Sequence, residues 1–223
     1  MADHPASAAG TGADGDRHYL PAMGLRLLLP LYDTFTRLAG LPHVHRTLID
    51  QADLRPGQRV VEIGCGTGSL LQLIRRQHPD VDLAGLDPDP DALGRARRKL
   101  TGRGPAVQLD RGFADALPYP AGSVDRVLSS FMWHHLDSAD KPRALREIAR
   151  VLRPGGQLHI VDMTATGSIH RLLRRRAHHH VHYAHSRPDE LVALLRQAGF
   201  TDITATEAAS LRLGKHAYFR ASR

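Results

Sequence analysis

The segment Val60-Val61-Glu62-Ile63-Gly64-Cys65-Gly66-Thr67-Gly68 constrains this chain more than any other, because an apolar run enters a turn with glycine at every second position. A buried strand feeding such a turn, which then opens a helix, is the first unit of a βαβ array, since glycine lets the backbone turn sharply and approach a ligand closely. Spaced glycines alone are a weak signal, because the dinucleotide-binding version of the turn uses the same spacing to hold a pyrophosphate on backbone N–H groups. Here Glu62 near the strand end would repel a phosphate and suits a cationic ligand. That acid shifts the expectation from a dinucleotide toward a sulfonium-bearing amino acid.

A second acid supports an adenosine-type ligand. Leu83-Ala84-Gly85-Leu86-Asp87 reads as a strand ending in a carboxylate, roughly 20 residues after the glycine turn, where an acid can accept both ribose hydroxyl protons. The rest of the chain continues the alternation of short apolar runs and amphipathic segments, which predicts an α/β fold with buried, mostly parallel strands. Strands are expected at 59–63, 81–86, 106–110, 124–130 and 156–162, with helices at 68–77, 90–100 and 139–152. A helix at 188–198 and two strand-like segments at 201–206 and 215–221 follow. Before the glycine turn, residues 1–16 are small and polar and read as a disordered tail. Residues 17–56 read as a helical cap: Tyr19 to Leu38 suggests two short helices broken at Pro30, and His43 to Asp53 a third. Residues 57–223 read as the α/β domain itself.

Composition narrows the function classes. A length of 223 residues suits one domain with small additions. Cys65 is the only cysteine, which excludes an internal disulfide, a cysteine-based zinc site and an iron–sulfur cluster. Between two glycines it reads as a small packed residue rather than a nucleophile. No apolar run reaches the roughly 18 residues needed to cross a bilayer, and the acidic N-terminus lacks the features of a secretory signal. The expected compartment is the cytoplasm. The formal charge of +7 permits an anionic partner without demanding nucleic acid. Residues 164–187 hold Arg171, Arg174, Arg175, Arg176 and Arg187 among six histidines and no acid. Such a basic segment, between the fifth strand and the next helix, suits a lid over an anionic substrate. His178, His180, His182 and His185 share faces in a strand or a helix, but the default reading has no metal.

The loop VVEIGCGTGSL, the strand end LAGLDPD, the segment GFADALPYPAGSVDRVLSSFMWHHL and the stretch ALREIARVLRPGGQLHIVDM resemble class I S-adenosylmethionine-dependent methyltransferases. The nearest flavour is the ubiquinone/menaquinone-biosynthesis C-methyltransferase type, and the likeness runs from about Tyr32 to Phe200. It implies a Rossmann-like fold with a seven-stranded, mostly parallel sheet, helices on both faces and an N-terminal helical cap. It also implies S-adenosyl-L-methionine as cofactor, with Gly64, Cys65, Gly66 and Gly68 near its methionyl part and Glu62 near its amino group. Asp87 and Pro88 would lie at the ribose, Phe113 and Ala114 at the adenine, and Ser130 at the crevice. Phe113 departs from the polar residue relatives often carry there. Trp133, Tyr19 and Tyr32 would shape the acceptor pocket, and His134 or His135 could take a proton from the acceptor. The expected reaction is methyl transfer to oxygen, nitrogen or carbon of a small, aromatic or anionic metabolite. RNA or protein methylation, and a fold relative that binds the cofactor without transferring methyl, are the competing readings.

Overall fold

The computed structural model describes residues 40–102, 104–164, 187–210 and 214–223. The expectations for residues 1–39, including Tyr19 and Tyr32, and for nearly all of the basic segment 164–187 lie outside those residues. The elements are α1 (Leu41–Ala52), β1 (Arg59–Ile63), α2 (Ser69–Gln77), β2 (Asp82–Asp87), α3 (Pro90–Leu100), β3 (Val107–Arg111) and β4 (Val124–Ser130). A short 3₁₀ turn (Trp133–His135) leads to α4 (Asp140–Val151), β5 (Leu152–Met163), α5 (Pro188–Gln197), β6 (Thr201–Ser210) and β7 (Gly214–Ser222).

Seven strands form one sheet in the order β3-β2-β1-β4-β5-β7-β6. The pairs β1–β2, β1–β4, β2–β3 and β4–β5 are parallel, while β7 runs antiparallel to both neighbours. From β1 the chain moves first toward β3 and then returns to place β4 on the other side. The order therefore reverses between β1 and β4, and a crevice opens outside the carboxyl ends of strands at such a reversal.

Two apolar layers hold the helices to the sheet. On one face Val60, Leu83, Leu128 and Val161 pack with Val44 and Leu48 of α1, Leu70 and Ile74 of α2, and Leu93 and Ala96 of α3. On the other, Val61, Ile63, Val127, Leu158 and Ile160 meet Leu145 and Ile148 of α4 and Leu191 and Leu195 of α5. Adjacent strand residues such as Val60 and Val61 are both fully buried, which is why these strands show little polar alternation. Asp89 caps α3, its side chain accepting from the N–H groups of Asp91 and Ala92.

β5 starts at Leu152, four residues before the expected 156. Leu152 pairs with Val124, and the register then shifts before Gln157 pairs with Arg126, so Pro154-Gly155-Gly156 is an irregularity within the strand rather than a turn before it. β6 likewise runs to Ser210 because it is one arm of a long antiparallel pair with β7.

His159 on β5 is fully buried, and neither ring nitrogen has a hydrogen-bond partner among the described residues. Burial, with Arg126 and Arg220 nearby, lowers its pKa from 6.5 to about 3. The unfolded chain therefore binds a proton at this ring below about 6.5 while the native state refuses one until about 3. Stability falls as pH falls through that window. Between pH 7 and 5 this ring alone accounts for a loss of roughly 2 kcal/mol, at 1.36 kcal/mol per pH unit. In urea denaturation at the two pH values, His159→Leu is expected to lose that much less than wild type; an identical decline in both proteins would contradict the burial of a neutral ring.

Candidate functional site

The turn after β1 is built by hydrogen bonds to its own neighbours. The N–H groups of Gly64 and Cys65 both donate to the Leu86 carbonyl, at 2.8 and 3.0 Å, and Gly68 donates to the Cys65 carbonyl at 2.8 Å. The Gly66 N–H donates to Asp87 Oδ2 at 2.8 Å. Four of the donors that would cradle a pyrophosphate are thus turned inward, which argues against a phosphate at this turn.

The acids are placed for a different ligand. Glu62 is 3% exposed, and its Oε2 has no hydrogen-bond partner among the described residues. Burial, and then the nearby Asp87, push its pKa well above the usual carboxylate range. Asp87 is raised for the same first reason, against the opposing pull of the Asp89 and Gly66 N–H groups. Asp87 Oδ1 accepts the Asp89 N–H at 2.9 Å, so each oxygen carries one backbone bond and retains acceptor capacity. An orphaned buried carboxylate gains most from a cation, because the cation restores the solvation that burial removed. Cys65 is buried beside these acids, and burial followed by the charges of Glu62 and Asp87 pushes its thiol pKa up. It therefore stays protonated and a poor nucleophile.

Across the strand reversal, β4 ends at Ser130, and Phe131 adopts a left-handed φ of 53°. That conformation is costly for a non-glycine residue and turns the chain out of the sheet. The Phe131 N–H donates to the Val161 carbonyl at 2.9 Å. Met132 then packs over Gly64, where a Cβ would lie 2.6 Å from Met132 Cβ. The segments after β1 and β4 therefore touch. Ser130 meets a residue that the sequence did not signal: His45 Nε2 of α1 lies 3.0 Å from Ser130 Oγ. Burial and Lys99 lower the His45 pKa to about 4, so this ring is neutral near pH 7. It lies one helical turn before Leu48 and Ile49, on the buried face of α1, a place readable from helical spacing.

The 3₁₀ turn carries Trp133, His134 and His135. Trp133 is fully buried and, with Ser138, Lys141, Glu190 and Leu194, bounds a recess of about 340 Å³ between α4 and α5. The His134 and His135 rings lie 4.1 Å apart. His134 Nδ1 is 2.5 Å from Oδ1 of Asp162 at the end of β5, a partner 28 residues away that no local motif marked. Burial, and then His134, lower the His135 pKa to about 4. After β3, the Gly112 N–H donates to the Asp87 carbonyl at 3.3 Å. This sets half-buried Phe113 and buried Ala114 beside the β2 end that bears Asp87 and Pro88. Glu62, the glycine turn, Asp87, Phe113, Ala114, Ser130 and the histidine pair thus gather along the carboxyl edge of the sheet, while Tyr19 and Tyr32 lie outside the described residues. Among the described residues no three His, Cys, Asp or Glu side chains group as a metal site, and no helix is long and apolar enough to cross a membrane.

Residues 60–156 match the family described as Methyltransferase domain. Over 138 residues the chain is 33% identical to demethylmenaquinone methyltransferase of Thermus thermophilus, a match covering 60% of this chain and 62% of that protein. A demethylmenaquinone methyltransferase of Deinococcus radiodurans is 30% identical over 144 residues, covering 63% of this chain and 59% of its own length. The chain thus spans less than two thirds of these curated relatives. Among solved structures, a SAM-dependent methyltransferase of Thermotoga maritima superposes with a TM-score of 0.65 at 22% identity, covering 88% of this chain and 96% of that one. At that identity the likeness shows the fold alone, a Rossmann-like sheet with helices on both faces.

The contact between Gly64 and Met132 is testable. Gly64→Ala combines a left-handed φ of 72° with a Cβ placed inside the Met132 side chain, for an expected cost of about 2–4 kcal/mol. Gly66→Ala also has a positive φ, of 51°, but meets nothing within 4 Å, and should cost only about 1–2 kcal/mol. Equal losses in denaturant titrations would mean that the two crevice walls do not touch.

Proposed function

We propose that this chain, which carries a methyltransferase domain over residues 60–156, binds S-adenosylmethionine at the carboxyl edge of β1, β2 and β4 and methylates a small-molecule acceptor. The observation that carries the reading is Glu62, a buried carboxylate with an orphaned oxygen beneath the glycine turn. The ligand's ammonium group supplies the cation this acid lacks. Gly64, Cys65, Gly66 and Gly68 form the surface over which the methionyl part lies. Asp87 accepts from the ribose hydroxyls with its remaining lone pairs, and Pro88 follows it at the rim. Phe113 packs on the adenine, Ala114 meets its edge through the backbone, and Ser130 lines the crevice opposite.

When bound, the cofactor supplies an electrophilic methyl group on a sulfonium. The protein's task is to hold the acceptor behind that methyl and to exclude water, and such positioning supplies about 7–11 kcal/mol of barrier reduction in favourable cases. His134 and His135, on the turn after β4, stand at the wall of the acceptor pocket in this reading. The acceptor class we favour is aromatic or anionic. The names of the relatives support a quinone-type acceptor, and the basic composition of residues 164–187 supports an anionic one.

Calorimetric titration with S-adenosylhomocysteine, in parallel with NADH, tests the cofactor. The thioether is expected to saturate the protein and NADH to give no heat. Asp87→Ala should weaken binding roughly ten- to a hundredfold, the worth of a charged hydrogen bond. Glu62→Gln should weaken it as well and abolish proton uptake or release on binding, read from the dependence of the enthalpy on buffer. Binding of NADH alone, or unchanged affinity in both variants, would overturn the assignment.

A further inference from the structure

Asp162 has no part in the cofactor reading, yet it is the most deeply placed acid beside the crevice. It is 1% exposed at the end of β5. Its Oδ1 accepts the Met163 N–H at 2.8 Å and lies 2.5 Å from His134 Nδ1. Its Oδ2 is buried with no hydrogen-bond partner among the described residues. Burying a carboxylate is costly unless it is paired, and the group paired with it here is an imidazole on the turn that follows Met132, the residue packed on Gly64. Lys141 of α4 feels Asp162 as well as Glu190 of α5 and Asp137 before α4. His135, whose ring packs on His134, contributes no charge near neutrality.

We propose that Asp162 is a positioning residue that holds His134 as the Nδ1–H tautomer, so that His134 Nε2 is the base that accepts a proton from the methyl acceptor. The proposal rests on the methyl-transfer reading above and deepens it. An acceptor bearing a proton uses a lone pair to form the new bond to carbon, the C–S bond breaks with its electron pair passing to sulfur, and one proton remains to be removed. Nε2 takes that proton, and the carboxylate of Asp162 balances the resulting imidazolium before solvent recovers the proton. A thioether, or a tertiary amine that is unprotonated at the assay pH, releases no proton on methylation and has no use for such a pair. The pair therefore identifies the acceptor class as one that keeps a lone pair beside an O–H or N–H: a phenol, a hydroxyl or a neutral amine.

The test uses the full chain labelled with ¹⁵N-histidine and saturated with S-adenosylhomocysteine, with H134Q to assign the ring signals. His134 is expected as the Nδ1–H tautomer when neutral. In D162N the preference for the Nδ1–H form should weaken, because a neutral amide replaces the carboxylate that accepts its hydrogen bond. D162N should keep S-adenosylhomocysteine affinity within about twofold and its thermal midpoint within a few degrees, which separates positioning from folding. A panel of phenols, a pyridine and a thioether, assayed for S-adenosylhomocysteine formation near pH 8, adds the acceptor arm. Phenol methylation should fall in H134Q by about 10²–10⁴-fold, and by a smaller factor in D162N. An Nε2–H tautomer in wild type, a tautomer preference unchanged in D162N, or phenol methylation undiminished in H134Q would overturn the proposal. The tautomer decides the pair whether or not any panel member reacts. Failure of S-adenosylhomocysteine to bind wild type would instead overturn the cofactor reading.

Discussion

The hydrogen bond from the Gly66 N–H to Asp87 Oδ2 is the interaction on which the carboxyl edge of this sheet depends. It ties the turn after β1 to the end of β2 and turns one backbone donor inward. With the two bonds to the Leu86 carbonyl, it leaves the turn with the shape of a ligand cradle but few of the donors a phosphate would need. The same bond keeps Asp87 at the edge, close enough for its charge to raise the pKa of Glu62. Two carboxylates in this position destabilise the ligand-free protein, and a bound cation relieves that cost. Groups held at such a disadvantage are concentrated at functional sites.

The topology supplies the opposite wall. Because strand order reverses between β1 and β4, the chain leaves β4 beside the glycine turn. The left-handed Phe131 then bends it so that Met132 covers Gly64 and the histidines follow at once. α1 reinforces the arrangement from the other face through His45 and Ser130. Methyl transfer needs alignment more than it needs a strongly activated group, and a crevice whose two walls are locked together by backbone and packing suits that requirement.

Much of this was legible in the sequence because it is local. The strands at 59–63 and 124–130 and the helix at 90–100 coincide with β1, β4 and α3, each carrying its own apolar pattern and its own boundary residue. The glycine turn and Asp87 were visible for the same reason. The beginning of β5 was not, because Pro154-Gly155-Gly156 has the local chemistry of a turn, while a partner strand recruits it into the sheet. Nor was the tie between His134 and Asp162, since Asp162 reads as one residue of an apolar strand and acquires its meaning only from a ring 28 positions earlier. His45 lies between these cases: helical spacing marks it as buried, but nothing local names Ser130 as its partner.

The environments of the histidines around β4 and β5 argue that the crevice separates rings by their capacity for charge. His45 faces the Ser130 hydroxyl and has its pKa lowered to about 4. His135 is lowered to about 4 by burial and by its neighbour, and His159 to about 3 without a hydrogen bond among the described residues. Each of these rings is held neutral, and protonating any of them works against the fold. His134 instead lies against a carboxylate that is itself buried. An imidazolium there would sit against Asp162, whereas at His45 and His159 burial and nearby cations oppose it. The place of Asp162, set by where β5 ends, thus distinguishes His134 from those rings.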